Sequence, residues 1–176
     1  MGEVIRPLIS AEEIALRVEE IAGEIMRDYH GRKITLVCIL RGGIFFLVDL
    51  SRKLNIPMEF DFMDISSYGD DTVSSGIVKI DKDLKNSITG KHVFLVEDII
   101  DTGLTLSHVH KHLCAQKPAS IRICTLLDKK SCREVHDVVP DYIGFEIPNE
   151  FVVGYGIDYA QKYRDLRYIG ILEFSA

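Results

Sequence analysis

Short apolar runs rich in β-branched residues recur along this chain with helical segments between them, and that alternation constrains the fold more than any other feature. Ile34 to Leu40 (ITLVCIL) is nearly continuous, as a strand buried on both faces must be. Further strands are predicted at Met58 to Met63, Ile77 to Ile80, Val93 to Val96, Ile121 to Leu127 and Tyr142 to Glu146. A helix is predicted over Ser10 to Tyr29, where Ser10 and Glu13 form a capping box and Ile14, Val18, Ile21, Ile25 and Tyr29 make an apolar stripe. A second helical segment follows the Gly42-Gly43 turn and ends near Leu54, and a third carries Leu106, Val109 and Leu113 inward. The stretch from Asp64 to Ser75 (DISSYGDDTVSS) reads as an exposed, mobile loop. Strand and helix in alternation predict an α/β fold with a mainly parallel core sheet flanked by helices. Such sheets bind ligands beyond the carboxyl ends of their strands, so the residues after each apolar run are where function is sought.

No repeat or linker divides the 176 residues, and a single domain over 1-176 is expected. A net charge of −6 argues against bulk electrostatic binding to nucleic acid, and no apolar run approaches the ~20 residues of a spanning helix. Neither nucleic acid nor membrane is therefore expected as a partner. Cys38, Cys114, Cys124 and Cys132 show no zinc spacing and read as reduced thiols of a cytoplasmic protein. His108, His110 and His112 read as a solvated helix face, because no acid or cysteine completes a metal set.

The chemistry concentrates after Val93-Phe94-Leu95-Val96. Glu97 and Asp98 come first, then Asp101, Thr102 and Gly103, and a helix opens with Leu104, Thr105 and Leu106. A helix start with glycine and threonines offers free N–H groups, hydroxyl donors and a positive dipole end to a phosphate. Acids beside such a site suit a ribose diol and Mg²⁺. An acidic cap and turn without a ligand would show the same bare pattern.

The whole run, VFLVEDIIDTGLTL, closely resembles the signature of type I phosphoribosyltransferases, which use phosphoribosyl pyrophosphate (PRPP). Leu40-Arg41-Gly42-Gly43 looks like that family's pyrophosphate loop, with an implied cis peptide at Leu40-Arg41. Ser66-Ser67-Tyr68-Gly69 resembles the flexible lid of the hypoxanthine-guanine branch, with Ser67 and Tyr68 as lid residues. The C-terminal third, from Leu126-Leu127-Asp128-Lys129 to Arg164-Asp165-Leu166, is similar to that branch's purine pocket.

The resemblance implies a type I phosphoribosyltransferase fold with a small hood built from the N- and C-terminal segments. It implies transfer of the 5-phosphoribosyl group of PRPP to N9 of hypoxanthine, and of guanine, in purine salvage. Asp101 would be the general base or electrostatic partner at N7. Glu97, Asp98, Asp101, Thr102, Gly103, Leu104, Thr105 and Leu106 would hold the ribose and 5′-phosphate. Arg41, Gly42 and Arg164 would hold pyrophosphate, Lys129 would donate to the purine O6, Phe151 would stack on the base, and the Val152 backbone would meet the ring edge. Glu97, Asp98 and Asp158 would serve Mg²⁺, Asp158 near the base. Relatives form dimers or tetramers, so a homodimer or homotetramer is expected. Phe151 could instead be ordinary core, and Lys129 with Lys130 a solvated pair. A xanthine-preferring enzyme and a PRPP-binding regulator of nucleic acid are the rival readings.

Overall fold

In a computed structural model the described residues are 2–68 and 77–175, without the side chains of Ser67, Tyr68 and Ile77. The elements run β1 (Gly2–Ile9), α1 (Ala11–Asp28), β2 (Ile34–Leu40), α2 (Ile44–Lys53), β3 (Met58–Tyr68), β4 (Ile77–Lys82), β5 (His92–Ile100), α3 (Leu104–Ala115), β6 (Ser120–Asp128), β7 (Tyr142–Glu146), β8 (Val152–Val153) and β9 (Ile169–Ser175). A single 3₁₀ turn, Lys130–Cys132, follows β6.

Six strands form the main sheet in the order β4-β3-β2-β5-β6-β7. All neighbours are parallel except β3 and β4. The apolar runs are buried on both faces, as their continuity predicts. Leu36, Cys38, Phe94 and Val96 pack toward α1 and α2, whereas Val37, Ile39, Val93 and Leu95 pack toward α3. Helix α1 begins at the Ser10–Glu13 capping box and buries Ile14, Val18, Ile21 and Ile25. Among the described residues, no helix is long and apolar enough to cross a membrane.

From β2 the chain steps outward to β3, then returns across β2 to β5. That reversal opens a crevice outside the carboxyl ends of β2 and β5, the place where open α/β sheets take their ligands. Both ends of the chain meet in a second, antiparallel sheet of order β1-β9-β8. Tyr155 donates its hydroxyl to Asp49 on α2 at 2.7 Å, fastening this small sheet's end to the main body.

The loop expected from Asp64 is corrected by the structure. Residues Asp64 to Tyr68 extend β3 and pair antiparallel with β4. Polar residues suffice there because β4 is the sheet edge, and ladder hydrogen bonds need no apolar side chains. The lid side chains assigned to Ser67 and Tyr68, with Gly69, lie outside the described residues. Strand β5 also runs on through Ile100, so Glu97 and Asp98 sit within the strand rather than after it.

Candidate active site

The turn after β5 is built by glycine. Gly103 caps α3 with φ +86°, a left-handed conformation that a side chain disfavours. Its carbonyl accepts the Ser107 amide at 2.9 Å, which leaves the amides at the start of α3 without partners inside the helix. Glu97, Asp101, Thr102, Gly103, Thr105 and Leu106 line a cleft of about 120 Å³ at this helix start. Small size, converging N–H groups and a positive dipole end suit a phosphate.

Two acids of β5 precede this turn, Glu97 lining the cleft and Asp98 following it in the strand. Glu97 is only 7% exposed, and burial, with the Asp98 charge beside it, pushes its carboxyl well above the usual carboxylate range. Asp98 is raised by burial as well, although the Ile99 amide, which donates to it at 2.9 Å, and the Arg164 charge hold it down. Gly42, on the turn after β2, is pressed so close to Asp98 that a Cβ there would fall within the carboxylate. A Cβ on Gly156, in the turn after β8, would likewise collide with the Gly42 carbonyl. Three chain segments thus meet closely, Gly42 touching the Asp98 carboxylate on one side and the Gly156 backbone on the other. Arg164 donates to the Gly156 carbonyl at 2.7 Å and pairs with Asp158 at 2.6 Å. The other Asp158 oxygen accepts the Gln161 amide at 2.8 Å. Arg41 is exposed at the crevice mouth, after a cis Leu40-Arg41 peptide.

On the far side of the cleft Lys129 Nζ donates to Asp101 Oδ2 at 3.2 Å. The Lys129 side chain is 9% exposed and that of Asp101 50%, so a buried cation is aimed at an accessible carboxylate. That placement removes the solvated-pair reading for Lys129, since only Lys130 is exposed. Phe151 is no core residue either: it is 51% exposed and meets Tyr159 edge to face, with ring centroids 5.6 Å apart. Val152 is buried in β8 and pairs with Ile171. The structure therefore gathers Glu97, Asp98, Asp101 and the start of α3 with Arg41, Gly42 and Lys129, and holds Arg164 with Asp158 at the adjoining turn. Among the described residues no three acids, histidines or cysteines cluster as a ready-made metal cage.

Sequence reasoning assigned no role to Gly156, Tyr159, Asp128 or Arg133. The glycine in GYGIDY was a usable signal for close approach, whereas nothing local marks an arginine buried by a distant turn.

The family model of the phosphoribosyl transferase domain matches residues 8–160. The chain therefore belongs to the phosphoribosyltransferase family. Its relatives include the hypoxanthine phosphoribosyltransferase of Buchnera aphidicola, 51% identical over 99% of both chains. The hypoxanthine-guanine phosphoribosyltransferase of Mycobacterium avium is 45% identical, over 98% of this chain and 87% of that one. A crystal structure of the hypoxanthine-guanine phosphoribosyltransferase of Bacillus anthracis superposes with a TM-score of 0.91 at 42% identity, covering 98% of this chain and 100% of that one.

Proposed function

We propose that this chain transfers the 5-phosphoribosyl group of PRPP to N9 of a 6-oxopurine, hypoxanthine or guanine, and releases pyrophosphate. The observation that carries this reading is the buried Lys129 directed at the accessible Asp101 beside the phosphate cleft. A 6-oxopurine presents O6 and N7 side by side on one edge. Lys129 donates to O6, and Asp101 accepts from N7. As N9 forms its bond to C1 of the sugar, the bond from C1 to the pyrophosphate oxygen breaks and the N7 proton passes to Asp101. The start of α3, with Thr102 and Thr105, holds the 5′-phosphate, and the exposed ring of Phe151 supplies a face for the base. Arg41 and Arg164 hold the leaving pyrophosphate through fixed guanidinium donors.

The donor set also fits Mg²⁺, a hard cation that takes one or two carboxylates and completes its shell with substrate phosphates and water. Glu97 and Asp98, whose ionised forms burial disfavours, would be stabilised by a nearby cation, and Asp158 would offer a carboxylate at the adjoining turn. Bound with PRPP, Mg²⁺ supplies neutralisation of the leaving group's charge. The protein's own task is to position the sugar between the α3 start and the base edge, where charge develops at C1.

The proposed base contacts predict refusal of adenine. Adenine carries an NH₂ donor where hypoxanthine carries an acceptor, and Lys129 has three donors and no acceptor. An unpaired buried donor costs ~1–3 kcal/mol, so at least ten- to a hundredfold discrimination is expected. Lys129→Gln supplies an amide oxygen, and the ratio of kcat/KM for hypoxanthine to that for adenine should fall in this variant. An unchanged ratio would remove Lys129 from base recognition.

A further inference from the structure

The chain leaving β6 folds back onto the phosphate turn through a residue with no role in the reaction above. Arg133 pairs its guanidinium with the Asp128 carboxylate, and the two side chains are only 7% and 6% exposed. Arg133 Nε is buried and has no hydrogen-bond partner among the described residues. The Arg133 Cδ lies 2.9 Å from where a Cβ on Gly103 would stand, and the Val135 carbonyl 3.0 Å from it. The amides of Glu134 and Val135 donate to the Thr102 carbonyl at 2.9 and 3.1 Å. At its other end the pair reaches Lys129, the residue after Asp128, whose amide donates to the Ile100 carbonyl at 2.9 Å. One side chain thus bridges the tip of the phosphate turn and the root of the base-reading lysine.

A buried ion pair is a poor way to gain stability, because desolvation offsets much of the attraction, and apolar residues of similar volume often serve as well. What such a pair does supply is fixed geometry. The phosphate turn stands on β5 and Lys129 on β6, and their separation decides whether one nucleotide can be held at both ends. A misplacement of about 1 Å can cost ~10²-fold.

We infer that Arg133 is a positioning residue that sets the distance between the 5′-phosphate turn and Lys129, an inference that rests on the function proposed above. It should therefore matter for a ligand that spans the two and not for one that fills the turn alone. Inosine 5′-monophosphate spans both, and ribose 5-phosphate fills only the turn. Arg133→Met by itself strands a buried carboxylate and can unfold the chain. The double variant Asp128→Leu/Arg133→Met removes both charges at once, and Arg133→Lys keeps a charge with shorter reach.

Calorimetric titration of the wild-type chain and both variants with each ligand reads the effect. The Kd for inosine 5′-monophosphate should rise at least tenfold in the double variant and at least threefold in Arg133→Lys. The Kd for ribose 5-phosphate should stay within twofold in both. If the double variant does not fold, Arg133→Lys alone decides by the same criterion. Equal weakening of both ligands would show that Arg133 merely shapes the turn and would overturn the inference, as would unaltered nucleotide binding. A wild-type chain that fails to bind the nucleotide would sink the proposed function and this inference together. Normal wild-type binding beside unaffected variants would sink the inference alone.

Discussion

Burial sets the character of Glu97 before any ligand arrives. Its carboxyl is held well above the usual range, so the folded chain keeps a proton that the unfolded chain gives up first as pH rises. Stability is then present at acid pH and is lost as pH climbs from the unfolded carboxylate value toward the raised folded one. Glu97→Gln removes that loss while keeping the shape. The thermal midpoint of the free chain at pH 7 should rise, by about 2–4 °C for each kcal/mol relieved, while turnover falls. A midpoint that stays level or drops would show that Glu97 is already stabilised as an anion. Asp101 stands at the opposite extreme, half exposed and, among the described residues, tethered by its side chain to Lys129. Asp101→Asn keeps the shape and removes proton acceptance, so kcat should fall ~10²- to 10⁴-fold with little change in KM for PRPP. A loss confined to KM would assign Asp101 to the phosphate cradle alone.

At the scale of elements, the decisive contact joins the β8–β9 sheet to the turn after β2. Gly156 has φ +102° and lies against the Gly42 carbonyl, and Gly42 in turn packs against the Asp98 carboxylate. Gly156→Ala should destabilise the chain by about 1 kcal/mol or more and raise KM for PRPP at least tenfold, measured by denaturant unfolding and steady-state kinetics. Wild-type values for both would mean that the two turns are not mechanically joined. The core strands, the α1 cap and the phosphate turn were legible in sequence because each is specified locally, by apolar periodicity, by Ser10 and Glu13, or by glycine at a helix start. The family resemblance implied a hood from the two chain ends, but the strands of the small sheet were not legible from the residues themselves. Its strands β1 and β9 pair residues as far apart as Gly2 and Ser175, and Pro7 within β1 argues against a strand unless it lies at an edge, as it does here. The polar end of β3 was hidden for a related reason, since its pairing with edge strand β4 needs backbone rather than apolar side chains. Arg133 was invisible because its partner at Gly103 is supplied by tertiary folding alone.

The whole molecule is built on a mainly parallel sheet whose strand order reverses between β2 and β5, with the carboxyl ends of β2, β5 and β6 feeding one crevice and a small sheet made from both chain ends beside it. That arrangement divides the labour. In the proposed function, pyrophosphate is held from the β2 turn and by Arg164, the ribose phosphate from the β5 turn, and the base from Lys129 and the segment around β8. Together these parts are proposed to act as a PRPP-dependent transferase for 6-oxopurines. The most direct measurement is product formation by the purified chain supplied with PRPP, Mg²⁺ and either hypoxanthine or adenine. Inosine 5′-monophosphate and pyrophosphate are expected in equal amounts from hypoxanthine, with at least tenfold less nucleotide from adenine and loss of turnover on thorough chelation. Undiminished turnover without the metal, equal use of adenine, or no nucleotide from hypoxanthine would contradict the proposed function.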